Sequence, residues 1–127
     1  MKDYQLENII SLKNGELLKI QEIHKDKLGV TDIIGNTFSI SYDAVIPVKI
    51  TTEILEKFNF VLSSKKEEII HVLYIYHLVS GSKLHHIRGY VYKNRSVWVY
   101  NNISLLYFHQ LQNLFTILGN NNIFILK

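Results

Sequence analysis

The stretch from residue 68 to residue 100 narrows the possible folds most, because three apolar, β-branched and aromatic runs there are separated only by short polar connections. Glu68–Leu78, Leu84–Tyr92 and Ser96–Tyr100 read as strands. Ser80-Gly81-Ser82-Lys83 and Lys93-Asn94-Arg95 are too short for the crossover that parallel pairing needs, so the strands must form antiparallel hairpins. The first half repeats the theme. Ile9–Leu12 and Leu17–Ile20 flank Asn14-Gly15, a pair that supplies the positive φ angles of a tight hairpin turn. Gly29 and Gly35-Asn36 mark further turns around the short strands Val30–Ile34 and Thr37–Tyr42, which makes a three- or four-stranded meander.

Pro47 has no amide donor and pushes Ile46 towards an extended conformation, so the first sheet should leave its ladder there. A short helix follows. Thr51 or Thr52 can cap it, Glu53 sits where the helix dipole favours an anion, Ile54, Leu55 and Phe58 form its apolar stripe, and it ends near Asn59. A longer helix capped by Asn102 or Ser104 is expected to run to about Leu118, with Leu105, Phe108, Leu111, Leu114, Phe115 and Leu118 on its apolar face. Its polar edge, His109, Asn113 and Thr116, reads as solvated along with Gln110 and Gln112. Gly119 and Asn120 suit a left-handed stop, and Ile123–Leu126 a final strand.

The expected fold class is therefore α+β: a single domain over 1–127, β-rich over 1–46, then over 47–127 a short helix, antiparallel hairpins packed by one longer C-terminal helix, and a last short strand. A chain of 127 residues is of ordinary single-domain size. With no cysteine it can form neither a disulfide nor a thiolate metal cluster. The N-terminus lacks the basic-then-apolar signature of a secretion signal, and the longest apolar run, Ile69–Val79, falls short of the roughly 18 residues that span a bilayer. No membrane association is expected, and the cytoplasm is the expected compartment.

Charge is divided unevenly. Residues 1–63 carry seven basic and nine acidic side chains, a balance of −2, whereas residues 64–127 carry seven basic side chains against Glu67 and Glu68, a balance of +5. A half-chain without a carboxylate after Glu68 attracts anionic partners, nucleic acid or an acidic protein surface. It also lacks the converging carboxylates of a hydrolase or nuclease. Neither a nucleophile elbow nor a phosphate loop occurs, so no enzyme and no cofactor are expected. His85 and His86 point to opposite faces of a strand, and His71 and His77 lie roughly 20 Å apart along one, so no metal site is expected.

Rings are the remaining signal. With a period of two, Tyr74 and Tyr76 share one face, as do Arg88, Tyr90 and Tyr92 on the next strand and Trp98 and Tyr100 on the third, while Lys93 and Arg95 lie at the connecting turn. If Ile87, Val91, Val97 and Val99 face the packing helix, the rings look outward and form a partner-binding face. Such a face suits a protein hot spot or a platform for single-stranded nucleic acid. Tyrosine is equally common inside sheets, so the same rings also suit a packed core.

Two segments resemble a family of small, largely uncharacterised proteins encoded by phages and prophages of the Bacteroidetes. Pro47–Phe60 is similar to a motif of Pro-x-x-Ile-Thr-x-Glu-x-Leu type, and His109-Gln110-Leu111-Gln112-Asn113-Leu114-Phe115 is near-identical to the family's helix signature. Lys49 stands where the family has proline, Thr52 where it has an acid, Asn59 where it has glycine, and Asn121-Asn122 where it has two glutamates. The resemblance implies a phage origin and activity inside a host bacterium. Its concrete form is an anti-CRISPR inhibitor that occupies an RNA-guided effector nuclease with its guide RNA, of type VI-B or II-C. A single-stranded RNA-binding protein and a phage structural or assembly component are the alternatives, and the oligomeric state is left open.

Overall fold

The computed structural model describes residues 3–119, 124 and 126. The chain divides into two compact units, Met1–Lys49 with Tyr107–Lys127, and Ile50–Leu106. The first is a five-stranded antiparallel sheet built from β1 (Ile9–Leu12), β2 (Leu17–Ile23), β3 (Lys27–Thr31), β4 (Thr37–Ser41) and β5 (Val45–Pro47), in the order β4-β3-β2-β1-β5. Ile10, Leu18, Ile20, Leu28, Val30 and Val45 recur with the strand period and make its core. In the first hairpin only Gly15 takes a positive φ, 94°, while the Gly15 amide donates to Leu12 O, so the turn is a three-residue loop rather than the two-residue Asn-Gly turn expected.

The expected halves divide near Pro47, but the longer helix, α2 (Phe108–Ile117), returns to the first unit and packs on β1. Its start is clamped there: the Phe108 amide donates to Val48 O, and Gln110 Oε1 accepts from the Tyr107 amide. Gly119, at φ 85°, stops it as expected. The proposed last strand over Ile123–Leu126 lies largely outside the described residues. Phe124, which is described, is buried with its ring against those of Phe108 and Phe115.

The polar edge of α2 is exposed at Thr116, as expected, but not at His109, Gln112 and Asn113. His109, Gln112 and Asn113 are buried and reach the chain entering β1: Gln112 Oε1 accepts from the Ile9 amide and its amide group donates to Glu7 O. Asn113 accepts from Asn8 Nδ2 and donates to Asp3 O, and His109 Nε2 lies 2.7 Å from Asp3 Oδ1. The ladder between β1 and β5 ends where Ile10 faces Pro47, which has no amide to offer, and α2 side chains take over the satisfaction of the backbone beyond it. The residues that give the helix its specific signature are thus its fastening to the sheet.

The second unit opens with α1 (Thr52–Lys57) and continues as a meander of β6 (Val61–Glu67), β7 (Val72–Ser80), β8 (Lys83–Val91), β9 (Ser96–Tyr100) and β10 (Ile103–Leu105), each strand beside the next. Thr51 Oγ1 caps α1 by accepting from the Ile54 amide. At its other end Asn59 takes φ 72°, the Phe60 amide donates to Leu55 O and the Asn59 amide to Glu56 O, a Schellman closure. A left-handed residue is what that position requires, and glycine or asparagine meets it at least cost.

Two strands here were not expected. β6 is exposed at every residue and has no alternation to read, and the strand expected over Glu68–Leu78 begins only at Val72, after the turn that joins β6 to β7. β10 occupies the place where the longer helix was expected to start. Asn101 and Asn102 have φ 53° and 64°, and Ile103 faces Tyr100, so the asparagine pair forms a two-residue hairpin turn instead of a helix cap. No helix among the described residues is long and apolar enough to cross a membrane.

Candidate interaction face of the second sheet

Strand register decides which rings are available. Tyr76 faces Ile87, Tyr74 faces Gly89 and Trp98 also faces Gly89, so these side chains share the inner face with His85, Leu78 and Tyr100. Tyr76, Trp98 and Tyr100 are buried. The partner-binding role expected for these three on an outward face is therefore corrected: the rings lie on the inner face, which Ile87 and Val91 share as expected, while Val97 and Val99 do not. The cause is Gly89, whose missing Cβ leaves room for the Trp98 indole to lie across the strand. Tyr74 is on the same face but half-buried, with the Lys65 ammonium 5.8 Å from its ring centroid.

Helix α1 closes this layer. Tyr76 OH donates to Glu56 Oε2 at 2.5 Å, and burial followed by that carboxylate raises the phenol well above its ordinary value. His85 is buried beside Tyr100, its Nδ1 2.8 Å from the phenol oxygen. Burial, then the nearby Lys83 charge, lower the His85 pKa from 6.5, while burial raises that of Tyr100. Because the folded pKa is depressed, the unfolded chain binds the extra proton once the pH falls below 6.5. Stability from this site is complete above 6.5 and declines as the pH drops from there towards the folded value. Urea unfolding followed by circular dichroism at a series of pH values should show that decline in the native protein and a flatter profile in His85→Asn.

The outer face presents the other alternation. Leu84, His86 and Arg88 are exposed along β8, and Tyr90 follows them half-buried. Arg88 sits between Ile75 and Val99, and Tyr90 between Leu73 and Val97, so half-buried aliphatic residues from β7 and β9 make the centre of this face. Val97 and Val99 were expected beneath a helix and instead occupy this outward layer. Of the expected binding residues, Arg88 and Tyr90 are on it, and Tyr92, Lys93 and Arg95 extend it at the β8–β9 turn.

His71, not among the expected binding residues, joins that end. Its ring centroid lies 5.7 Å from that of Tyr90 and 5.2 Å from that of Tyr92, and the Arg95 guanidinium lies 4.9 Å from the Tyr92 centroid. A depression of about 330 Å³ lined by Glu68–Val72, Val91, Tyr92 and Lys93 opens at the same end. Ile69 is wholly exposed at its rim and Ile70 is 72% exposed. Farther along, His77 faces His86 with ring centroids 6.4 Å apart, and the Ser63 hydroxyl is hydrogen-bonded to His77 Nδ1. Cross-strand pairing, invisible to spacing along one strand, brings these histidines together. Among the described residues no group of three or more histidine or acidic side chains could hold a metal ion.

No family model matches the chain, and no curated protein or solved structure is significantly similar to it.

Proposed function

We propose that this chain is a non-enzymatic interaction protein that docks the outer face of its second sheet onto an acidic patch of a partner protein. What supports the reading is the make-up of that face: an aliphatic centre of Leu73, Ile75, Val97 and Val99, bordered by Tyr90 and Tyr92 and ringed by Arg88, Arg95 and Lys93. Apolar residues at the centre with aromatic and arginine side chains around them are the composition of a protein hot spot. Strands β7, β8 and β9 place no carboxylate on this face, so a partner surface rich in acids complements it. Exposed Ile69 and Ile70 add apolar area beside it.

The nucleic-acid reading has less support. Three of the rings that would stack bases are buried, and the Tyr92 ring already carries Arg95 on one side. The resemblance to phage proteins makes an RNA-guided effector nuclease of type VI-B or II-C the first partner to test, with the chain acting as an anti-CRISPR inhibitor. Purified effector loaded with guide RNA should bind the protein in calorimetry. Tyr92→Ala and Arg88→Glu should each weaken that binding by about 30-fold or more while leaving the far-ultraviolet dichroism unchanged. Equal affinity of both variants would remove this face from the interaction. Binding to bare single-stranded RNA that weakens steeply with salt would favour the alternative.

A further inference from the structure

Each sheet has two edges, and three of the four carry a safeguard against pairing with another strand. β5 is three residues long and ends in Pro47. β10 is also three residues long. β6 is broken by a register shift between Leu62 and Ser64 and carries Lys65, Lys66 and Glu67. Short strands, proline, bulges and charges are the usual means by which an edge is closed to addition.

β4 has none of these. It is five residues long, Thr37-Phe38-Ser39-Ile40-Ser41, without charge or proline, and it pairs with β3 in an unbroken register from Thr31↔Thr37 to Lys27↔Ser41. It is the outermost strand of its sheet. Phe38 and Ile40 face Val30 and Leu28, on the side of the core, yet Phe38 is 40% exposed because the sheet stops there. Ile34, in the turn that leads into β4, is 81% exposed.

We infer that β4 is a homodimer edge: two copies of the chain join β4 to β4 in antiparallel fashion about Ser39, fusing their first sheets into one. The strand is complementary to itself. Pairing about Ser39 sets Phe38 of each copy opposite Ile40 of the other, and Thr37 opposite Ser41. Aromatic–β-branched and hydroxyl pairs are both favourable across strands. The two Phe38–Ile40 pairs continue the core over the junction, and no like charges meet at the axis. An acidic or basic peptide would find no charged side chain on β4 to bind, which makes a second copy the fitting occupant. The inference rests on the first unit alone and does not depend on the partner proposed for the second.

Sedimentation velocity over a concentration series tests it. The native chain should approach twice its 14.9 kDa mass as concentration rises. Ser39→Lys, an exposed outer-face change, places two lysines opposite each other and should raise the dissociation constant at least tenfold with an unchanged dichroism spectrum. An equimolar mixture of Ser39→Lys and Ser39→Glu should dimerise again. A native chain that stays monomeric at millimolar concentration would overturn the inference, and so would a dimer indifferent to Ser39→Lys.

Discussion

Gly89→Ala should lower the stability of the second unit by about 3 kcal/mol, near the upper end of what over-packing a well-filled core costs. A Cβ at this position would lie 2.2 Å from Trp98 Cζ3 and 2.5 Å from Cε3 and Cη2. Neither side can give way cheaply. Gly89 is within β8 and paired on both sides, with Tyr74 and with Trp98, and the indole is only 1% exposed, with Tyr76 beside it at 6.3 Å. Urea unfolding should show a lower midpoint. Trp98 is the only tryptophan, so its fluorescence reports the same site directly. In a Trp98→Leu background the clash is gone, and the same alanine should then cost under about 1 kcal/mol. A wild-type midpoint for Gly89→Ala would mean that the indole does not lie across Gly89.

The second large effect belongs to the first unit. Gln112→Ala should cost about 2–4 kcal/mol, since it strands both the Ile9 amide and the Glu7 carbonyl, and each unsatisfied buried group costs about 1–3 kcal/mol. Gln112→Met distinguishes lost hydrogen bonds from lost packing. Its unbranched side chain fills similar space but bonds to neither group, so its loss should approach that of the alanine variant if the hydrogen bonds carry the effect. Gln110→Ala serves as the comparison, because Gln110 Oε1 accepts from the Tyr107 amide in the helix's own first turn. A cost for Gln112→Ala no larger than that of Gln110→Ala would contradict the fastening role.

Both predictions concern residues that look neutral when read along the chain. A glycine in a strand can mark a bulge, a bend or a close approach, and only the neighbour across the sheet shows which. Amide side chains on an amphipathic helix read as solvated until the segment 105 residues away that they bind is in view. The cross-strand pair of His77 and His86 was missed for the same reason. Asn102 was expected only as a helix cap, and the hairpin turn it forms with Asn101 escaped notice because caps and turns both use asparagine's tolerance of irregular backbone.

The amino-acid order by itself determined the α+β class, the antiparallel pairing, the capped α1 and the stop at Gly119, because turn chemistry and local periodicity act over a few residues. It also determined that Arg88 and Tyr90 lie on one face of β8. What only the tertiary structure decided was which face of the second sheet is covered, and hence that Tyr76, Trp98 and Tyr100 are core while Leu73, Ile75, Val97 and Val99 look outward. Alternation along a strand divides residues between two faces but does not say which is buried. That choice was made by shape, through the space above Gly89 and the reach of Glu56 on α1 to Tyr76.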